Sequence, residues 1–265
     1  VDFLSILKQY QLMDEFPKKV LKQAEKIPSE VQEDELKNRL DLREELTYTI
    51  DGSDTRDFDD AISVSKDEHG NYHLGVHIAD VTHYVKEHTP LDKEALKRGT
   101  SVYLVDKVIP MLPKELSNGI CSLNPDVDRL TLSCLMTIDK NGVVMEHQIV
   151  ESVIRSKYRL VYEDVSHLLE TIDRTKQFTD LEQSLIFAEE LANILFEVRE
   201  HRGAIEFDFP ESKVIVEDEK VLDVQVRERK IANDMIQEFM LIANETVSKE
   251  YFHKKLPFVY RVHEQ

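Results

Sequence analysis

The sequence predicts an α+β fold with mainly antiparallel strands and packed helices. Apolar residues alternate over 62–66 and 72–78, on either side of the turn-forming residues 67–71, which indicates a β-hairpin. The same alternation over 130–138, 143–150 and 152–158 predicts an antiparallel meander. Segments with helical spacing occupy much of the remaining chain, and the longest are 162–169, 180–202 and 230–252.

Residues 1–45 differ from the rest of the chain, because they are poor in strand-forming residues. Phe3, Leu7 and Tyr10 repeat at helical spacing, and Pro17 and Pro28 are typical of helix starts. We therefore predict a helical connector over 1–45 and a separate folded domain over 46–265.

The segment after the first hairpin combines a short helix with extended and irregular pieces. Pro90 starts a predicted helix over 91–98, and Pro110 and Pro113 hold the chain extended around them. Tyr103 lies between these features, where it either fills the core or stacks on a base; from the residues alone, core packing is favoured. Residues 115–125 form a polar, turn-rich loop of the type that often lines sites, and Arg129 follows it.

The second half of the domain ends in an amphipathic helix. Gly203 is a natural stop for the helix over 180–202, and short strands are predicted over 205–209, 213–216 and 221–226. On the helix over 230–252, Asp234, Glu238 and Glu245 share one face. From the residues alone, this acidic face is interpreted as solvated.

Composition limits the possible partners. The chain has 265 residues and a formal net charge of −18, which argues against nonspecific nucleic-acid binding by the chain alone. A polyanionic partner would need local basic residues, bound cations or basic domains elsewhere. No apolar run approaches 18 residues and no signal-peptide pattern is present, so we expect no membrane partner. Cys121 and Cys134 are expected to be reduced thiols in a cytoplasmic protein.

The stretch from Thr49 to Ala61 is the strongest chemical signal in the sequence. It places five aspartates within ten residues, and Arg56 is the only nearby cation in the sequence. Carboxylates about 5 Å apart repel by roughly 3 kcal/mol per pair at an effective dielectric of ~20. Because strand patterns flank the stretch, we expect the acids on a loop that is fixed by packed strands. There the carboxylates either stay apart in solvent, have raised pKa values or bind a hard cation.

Spacing narrows the choice of cation. An EF-hand register starting at Asp51 or at Asp57 puts Arg56 or Ile62 where glycine is required, so a calcium loop is excluded. Mg²⁺ or Mn²⁺ fits better, since such ions take a few carboxylates and share their other positions with phosphate oxygens. The sequence contains no nucleophile elbow and no P-loop. A second metal site at His77, Asp80 and His83 is less favoured than satisfied structural histidines.

The residues from 49 to 61 resemble the signature of the ribonuclease II / ribonuclease R family of exoribonucleases. The segments 76–85, 98–103, 109–113 and 116–123 resemble further motifs of that family, in the family's order and spacing. The similarity runs from about Leu42 to the end of the chain and looks closest to the bacterial ribonuclease R branch. It implies an α+β ribonuclease II-type catalytic domain and a hydrolytic 3′-to-5′ exoribonuclease that releases nucleoside 5′-monophosphates.

The resemblance also implies roles for individual residues. Asp51, Asp57, Asp59 and Asp60 would hold Mg²⁺ (or Mn²⁺) at the scissile phosphate, with Asp59 most critical to the chemistry and Asp54 a bystander. On the RNA side, Tyr103 would stack on the terminal nucleotide of a single-stranded 3′ end, and Phe207 would form the other jaw. Glu238 would contact the RNA end, and Arg129 is a further candidate RNA-binding residue. The resemblance thus reverses the core interpretation of Tyr103 and the solvated interpretation of Glu238.

The chain departs from the complete family pattern. Members carry two cold-shock OB domains before the catalytic domain and an S1 domain after it, and none of the three is among these residues. The family's Ser-Pro-Ile-Arg segment, whose arginine assists at the phosphate, is also missing. We therefore expect a catalytic domain truncated at its carboxyl end, with little turnover alone. Two alternatives stay open: a non-catalytic divalent-cation or RNA-binding module, and a different metal-dependent phosphodiesterase.

Overall fold

Two β-hairpins built from alternating residues form the centre of the sheet. The computed structural model describes residues 3–104, 107–204, 211–217, 220–227 and 229–262. Its strands are β1 (Leu40–Asp41), β2 (Tyr48–Asp51), β3 (Asp60–Lys66), β4 (Tyr72–Ala79), β5 (Val102–Tyr103), β6 (Val108–Ile109), β7 (Asp128–Ile138), β8 (Val144–Arg155), β9 (Tyr158–Val161), β10 (Glu211–Glu217) and β11 (Lys220–Arg227). Its helices are α1 (Phe3–Gln9), α2 (Lys18–Ala24), α3 (Val81–Tyr84), α4 (Pro90–Arg98), α5 (Tyr162–Thr171), α6 (Asp180–His201) and α7 (Ile231–His253).

Seven strands form one sheet in the order β1-β8-β7-β4-β3-β2-β9. The inner neighbours pair antiparallel, whereas β1 and β9 pair parallel at the two edges. The prediction of an α+β fold with mainly antiparallel strands is confirmed. The chain enters this sheet at Leu40, which lies opposite Ser152.

The prediction of a third meander strand over 152–158 is wrong, because most of that segment continues the second strand. Residues 144–155 form one strand, because β7 is long enough to pair with β8 from Ile138 back to Asp128. The chain then crosses to the other edge of the sheet, where the amide of Lys157 donates to the carbonyl oxygen of Thr47 at 2.8 Å. Strand β9 therefore pairs parallel with β2, as Thr49 opposite Arg159 shows.

The two faces of the sheet differ in character. One face packs its apolar side chains, such as Ile62, Val76 and Met136, against α5, α6 and α7. On the other face, Ser63, His77, Ser133 and Ser152 form a hydrogen-bonded polar row. Alternation along each strand produces this division, since successive side chains point to opposite faces.

The long helices end where local sequence predicts. Thr179 caps α6 through the amide of Glu182, and Gly203 follows the helix with φ of +90°, a conformation that glycine adopts without strain. Residues 115–120, predicted as an irregular loop, form a π-helical turn. The predicted strand over 205–209 lies outside the described residues. Across the described ranges, every helix is too short or too polar to cross a lipid bilayer.

Candidate active site

The ends of two neighbouring strands bring the acidic residues together. Asp51 is the last residue of β2 and Asp60 the first of β3, and these strands pair antiparallel with Tyr48 opposite Ile62. The two carboxylates therefore lie at the same end of the sheet. The amide of Ala79 donates to the carbonyl oxygen of Asp59 at 2.9 Å, which ties the start of β3 to the end of β4.

The stretch from Asp51 to Asp60, here called the acid loop, is anchored by one aromatic side chain. Phe58 is 2% exposed and packs in a small cluster with Leu123 and Ile154. Its carbonyl oxygen accepts from the amide of Leu123 at 2.9 Å, and its amide donates to Ser122 Oγ at 3.0 Å. Asp57 and Asp59 flank the buried Phe58; Asp57 is half-buried and Asp59 is exposed.

The acids perturb one another strongly. Burial, followed by the nearby charges of Asp60, Asp59 and Asp57, raises the pKa of Asp51 from 3.8 to about 7. Burial and the charge of Asp59 raise the pKa of Asp60 to about 6. The pKa of Asp59 is also raised, first by desolvation and then by Asp57, although its side chain keeps contact with solvent. The site therefore has more negative charge than its own residues neutralise.

One oxygen of this cluster is buried without a partner. Asp51 Oδ2 is inaccessible to solvent and accepts no hydrogen bond within the described residues. An oxygen in this state is costly unless a cation or proton satisfies it. This orphaned oxygen, the all-carboxylate donor set and the raised pKa values fit a hard divalent cation such as Mg²⁺.

The carboxylates are close but not converged. In the part of the chain that the structure describes, no three His, Cys, Asp or Glu side chains form a ready-made metal-binding group. Metal binding at this loop would therefore need side-chain rotation of the aspartates.

Tyr103 lies beside the acid loop rather than in the core. Tyr103 is 66% exposed, and its hydroxyl donates to Asp57 Oδ2 at 3.1 Å. Burial of the hydroxyl and the charge of Asp57 raise its pKa. The core interpretation of Tyr103 is wrong, because the two-residue strand β5 holds the ring at the surface next to the acids.

The other predicted RNA-binding residues lie apart from the acids. Arg129 is buried beneath the loop and donates from Nε to the carbonyl oxygen of Ser122 at 2.8 Å; burial lowers its pKa. Glu238 is 4% exposed and forms a bidentate ion pair with Arg199, at 2.7 Å for the shortest contact. The solvated interpretation of Glu238 is therefore wrong, because α7 turns this residue toward α6. Phe207 lies outside the described residues.

Two residues that sequence reasoning missed hold the acid loop. Arg159 Nη2 donates to the carbonyl oxygens of Ser53 and Thr55, at 2.9 and 3.1 Å. Ser122 Oγ donates to the carbonyl oxygen of Arg56 at 3.0 Å. The only local signal was the turn-rich composition around Ser122; for Arg159 no local signal exists, because its contacts depend on the pairing of β9 with β2.

The histidines considered as a second metal site have protein partners. His77 is fully buried between Ser63 and Ser133, with Nδ1 at 2.7 Å from Ser133 Oγ, and burial lowers its pKa to about 4. His83 Nε2 lies 2.7 Å from Glu35 Oε1, and Asp80 is paired with Arg39 at 2.6 Å. These contacts support the interpretation of satisfied structural histidines.

Ribonuclease R proteins of two bacteria are similar to this chain in sequence. Residues 39–265 match the RNB domain family. Ribonuclease R 1 of Lactococcus lactis is 49% identical over 268 residues, and ribonuclease R of Thermotoga maritima is 50% identical over 269 residues. Both alignments cover 100% of this chain but only 33% and 38% of those proteins, so the chain spans roughly a third of their length.

Solved structures show the same likeness. The structure of Mycoplasma genitalium RNase R in complex with ribose-methylated single-stranded RNA matches with a TM-score of 0.89 and 30% identity, over 98% of this chain and 41% of that chain. The acid loop, the sheet that carries it and the helices behind it thus lie within a fold shared with these proteins. The chain belongs to the RNB domain family and is a homologue of ribonuclease R.

Proposed function

We propose that the protein containing this chain is a Mg²⁺-dependent hydrolytic exoribonuclease that acts from the 3′ end of RNA and releases nucleoside 5′-monophosphates. The observation that carries the proposal is the crowded acid loop, with the orphaned oxygen of Asp51 at its buried end. Membership of the RNB domain family and identities of 49% and 50% to ribonuclease R proteins support the reaction class. Mn²⁺ is the expected substitute for Mg²⁺.

The proposed metal ligands are Asp51, Asp57, Asp59 and Asp60. A divalent cation bound there would supply Lewis-acid stabilisation of the scissile phosphate and a lowered pKa for the attacking water. Asp59 is the carboxylate best placed to orient that water, because it keeps contact with solvent while lying next to Asp60. Its backbone is held by the end of β4, so its side chain extends from a fixed point.

Tyr103 is the proposed stacking platform for the terminal base. An exposed ring beside the acids offers a π-face to any base, and such stacking is worth about 1–3 kcal/mol per base. Its hydrogen bond to Asp57 would set the ring orientation relative to the metal site. Single-stranded RNA is the substrate we propose, and the complex of M. genitalium RNase R with single-stranded RNA supports this choice.

Cleavage by the full-length protein tests the proposal. The assay follows 5′-labelled oligo(A) with Mg²⁺ and identifies the released nucleotides. We expect a ladder shortened from the 3′ end and nucleoside 5′-monophosphates as product. Asp59→Asn should retain RNA binding and lose cleavage by orders of magnitude, whereas Asp54→Asn is the matched control with normal cleavage. Near-normal cleavage by Asp59→Asn would refute the role of Asp59.

Two outcomes would favour the alternatives. Binding of RNA without any shortening would indicate a non-catalytic module. Internal cuts would indicate a different metal-dependent phosphodiesterase.

A further inference from the structure

Arg159 is a cation that the fold, rather than the local sequence, brings to the acid loop. It lies on β9, at the edge of the sheet, in the position opposite Thr49 of β2. Because β2 runs directly into the acid loop, a long side chain on this part of β9 reaches over the loop. The contacts join residues that are 104 and 106 positions apart in the sequence.

Three contacts of Arg159 span the acid loop. Nη2 donates to the carbonyl oxygens of Ser53 and Thr55, on either side of Asp54. The guanidinium carbon also lies 5.1 Å from the centre of the Phe58 ring, the anchor of the loop. Hydrogen bonds from a charged donor are about twice as strong as neutral ones, so this side chain restrains the backbone on both sides of Asp54.

Ser122 restrains the same loop from the opposite side. Its hydroxyl accepts from the amide of Phe58 and donates to the carbonyl oxygen of Arg56. This contact is buried and belongs to the folded core, whereas Arg159 is exposed at the sheet edge. The part of the loop nearest Asp51 thus depends on Arg159, and the part nearest Asp57 depends on Ser122.

We propose that Arg159 is a positioning residue, which holds the acid loop in the shape that lets Asp51 and Asp57 face the same metal ion. The inference rests on the proposed metal-dependent function. Arg159 acts through backbone carbonyl oxygens and contacts no proposed metal ligand by a hydrogen bond among the described residues. Its charge acts separately from its position, by repelling a bound cation and by lowering the pKa of Asp51, so Arg159→Lys, which keeps the charge, isolates the effect of position.

Arg56 provides the matched control for charge. It lies in the acid loop itself, is exposed, and its side chain has no hydrogen bond or ion pair within the described residues. Arg56→Ala therefore removes one positive charge from the same neighbourhood without removing a restraint on the backbone.

The experiment measures loop order and metal affinity in the full-length protein. Hydrogen exchange of peptides covering 49–61 is compared for the unsubstituted protein, Arg159→Ala, Arg159→Lys and Arg56→Ala, all without metal. Mn²⁺ affinity is then measured by electron paramagnetic resonance of the free ion. For Arg159→Ala we expect exchange in the loop about tenfold faster and Mn²⁺ affinity about tenfold weaker.

The two other variants sharpen the test. Arg159→Lys keeps the charge, but its single ammonium group cannot span both carbonyl oxygens as the guanidinium fork does, so we expect intermediate values. It also provides a measurement if Arg159→Ala fails to fold. Arg56→Ala should exchange like the unsubstituted protein and bind Mn²⁺ equally well or slightly more tightly.

The outcomes separate this inference from the proposed function. Unchanged exchange in Arg159→Ala, or equal effects of Arg159→Ala and Arg56→Ala, would overturn the positioning role. If the unsubstituted protein binds no Mn²⁺, the proposed function fails, while the exchange data still decide whether Arg159 holds the loop.

Discussion

Replacing Asp51 by asparagine should stabilise the metal-free protein at alkaline pH. The carboxyl group titrates near 3.8 when unfolded and at about 7 when folded. Between these values the folded state keeps a proton that the unfolded state has lost, so the free energy of unfolding falls as pH rises through this window. Asparagine carries no such proton, so in Asp51→Asn this contribution to the pH dependence disappears.

The magnitude follows from the pKa difference. A shift from 3.8 to about 7 corresponds to about 4 kcal/mol at 1.36 kcal/mol per unit, if fully expressed. Asp51 is half-buried, and solvent screens charge interactions at such positions, so we expect about 1–2 kcal/mol in practice. At pH 8 the free energy of unfolding of Asp51→Asn should be higher than that of the unsubstituted chain by this amount. Near pH 4 the two values should be equal.

Urea denaturation in EDTA at pH 4, 6 and 8 measures this difference. Asp54→Asn is the matched control, because Asp54 is an exposed acid of the same loop, and its free energy of unfolding should follow the unsubstituted chain. With Mg²⁺ at pH 8, the unsubstituted chain should become the more stable of the two. An ion that binds only the folded state stabilises it by RT ln(1 + [L]/Kd), and Asp51→Asn has lost one of the carboxylates proposed to bind that ion. If Asp51→Asn is no more stable than the unsubstituted chain at pH 8 in EDTA, the electrostatic account of the loop is wrong.

Three further predictions follow from single contacts. Tyr103→Ala should weaken binding of a single-stranded RNA end by about 1–3 kcal/mol in a fluorescence titration. Tyr103→Phe keeps the ring and should change the affinity for that RNA only a few-fold. Equal losses of affinity in the two variants would contradict stacking. Arg199→Ala should lower the free energy of unfolding by about 3–5 kcal/mol, because it leaves Glu238 buried and unpaired. A double variant that also replaces Glu238 with leucine should recover much of that loss in the same denaturation assay. Gly75→Ala should cost about 1–3 kcal/mol in thermal unfolding, because its new methyl group would collide with Ser63 Oγ, and Ser63→Ala in the same chain should relieve part of the cost.

Sequence patterns predicted the elements whose causes are local. The β3–β4 hairpin follows from alternation around a turn, and α6 and α7 follow from apolar spacing and end signals within the segments themselves. The acid loop was equally visible, because charge crowding over ten residues has physical consequences in any fold. Family resemblance then distinguished Asp54 from the other four aspartates.

Features that depend on distant packing were not accessible from the sequence. The parallel pairing of β9 with β2 joins segments more than a hundred residues apart, so nothing around Arg159 indicates its contact with the acid loop. Likewise, an acid on the polar side of α7 is normally solvated, and only the approach of α6 with Arg199 explains why Glu238 is buried. The exposed position of Tyr103 could not be predicted from local sequence either, because an aromatic residue between strand-forming residues is as compatible with the core as with the surface.

The polar row on the sheet face opposite the long helices has a consequence for the acids at its end. Ser63 lies opposite Gly75 and Asp60 opposite Ile78 in the same ladder. A slip of β3 by one residue would turn Ser63 toward the apolar side chains between the sheet and α6. It would also displace Asp60 by about 3.3 Å along β4. Burying that hydroxyl among apolar groups is unfavourable, so the misaligned hairpin is disfavoured. Side chains without any part in the chemistry thereby keep Asp60 level with the end of β2, where Asp51 lies.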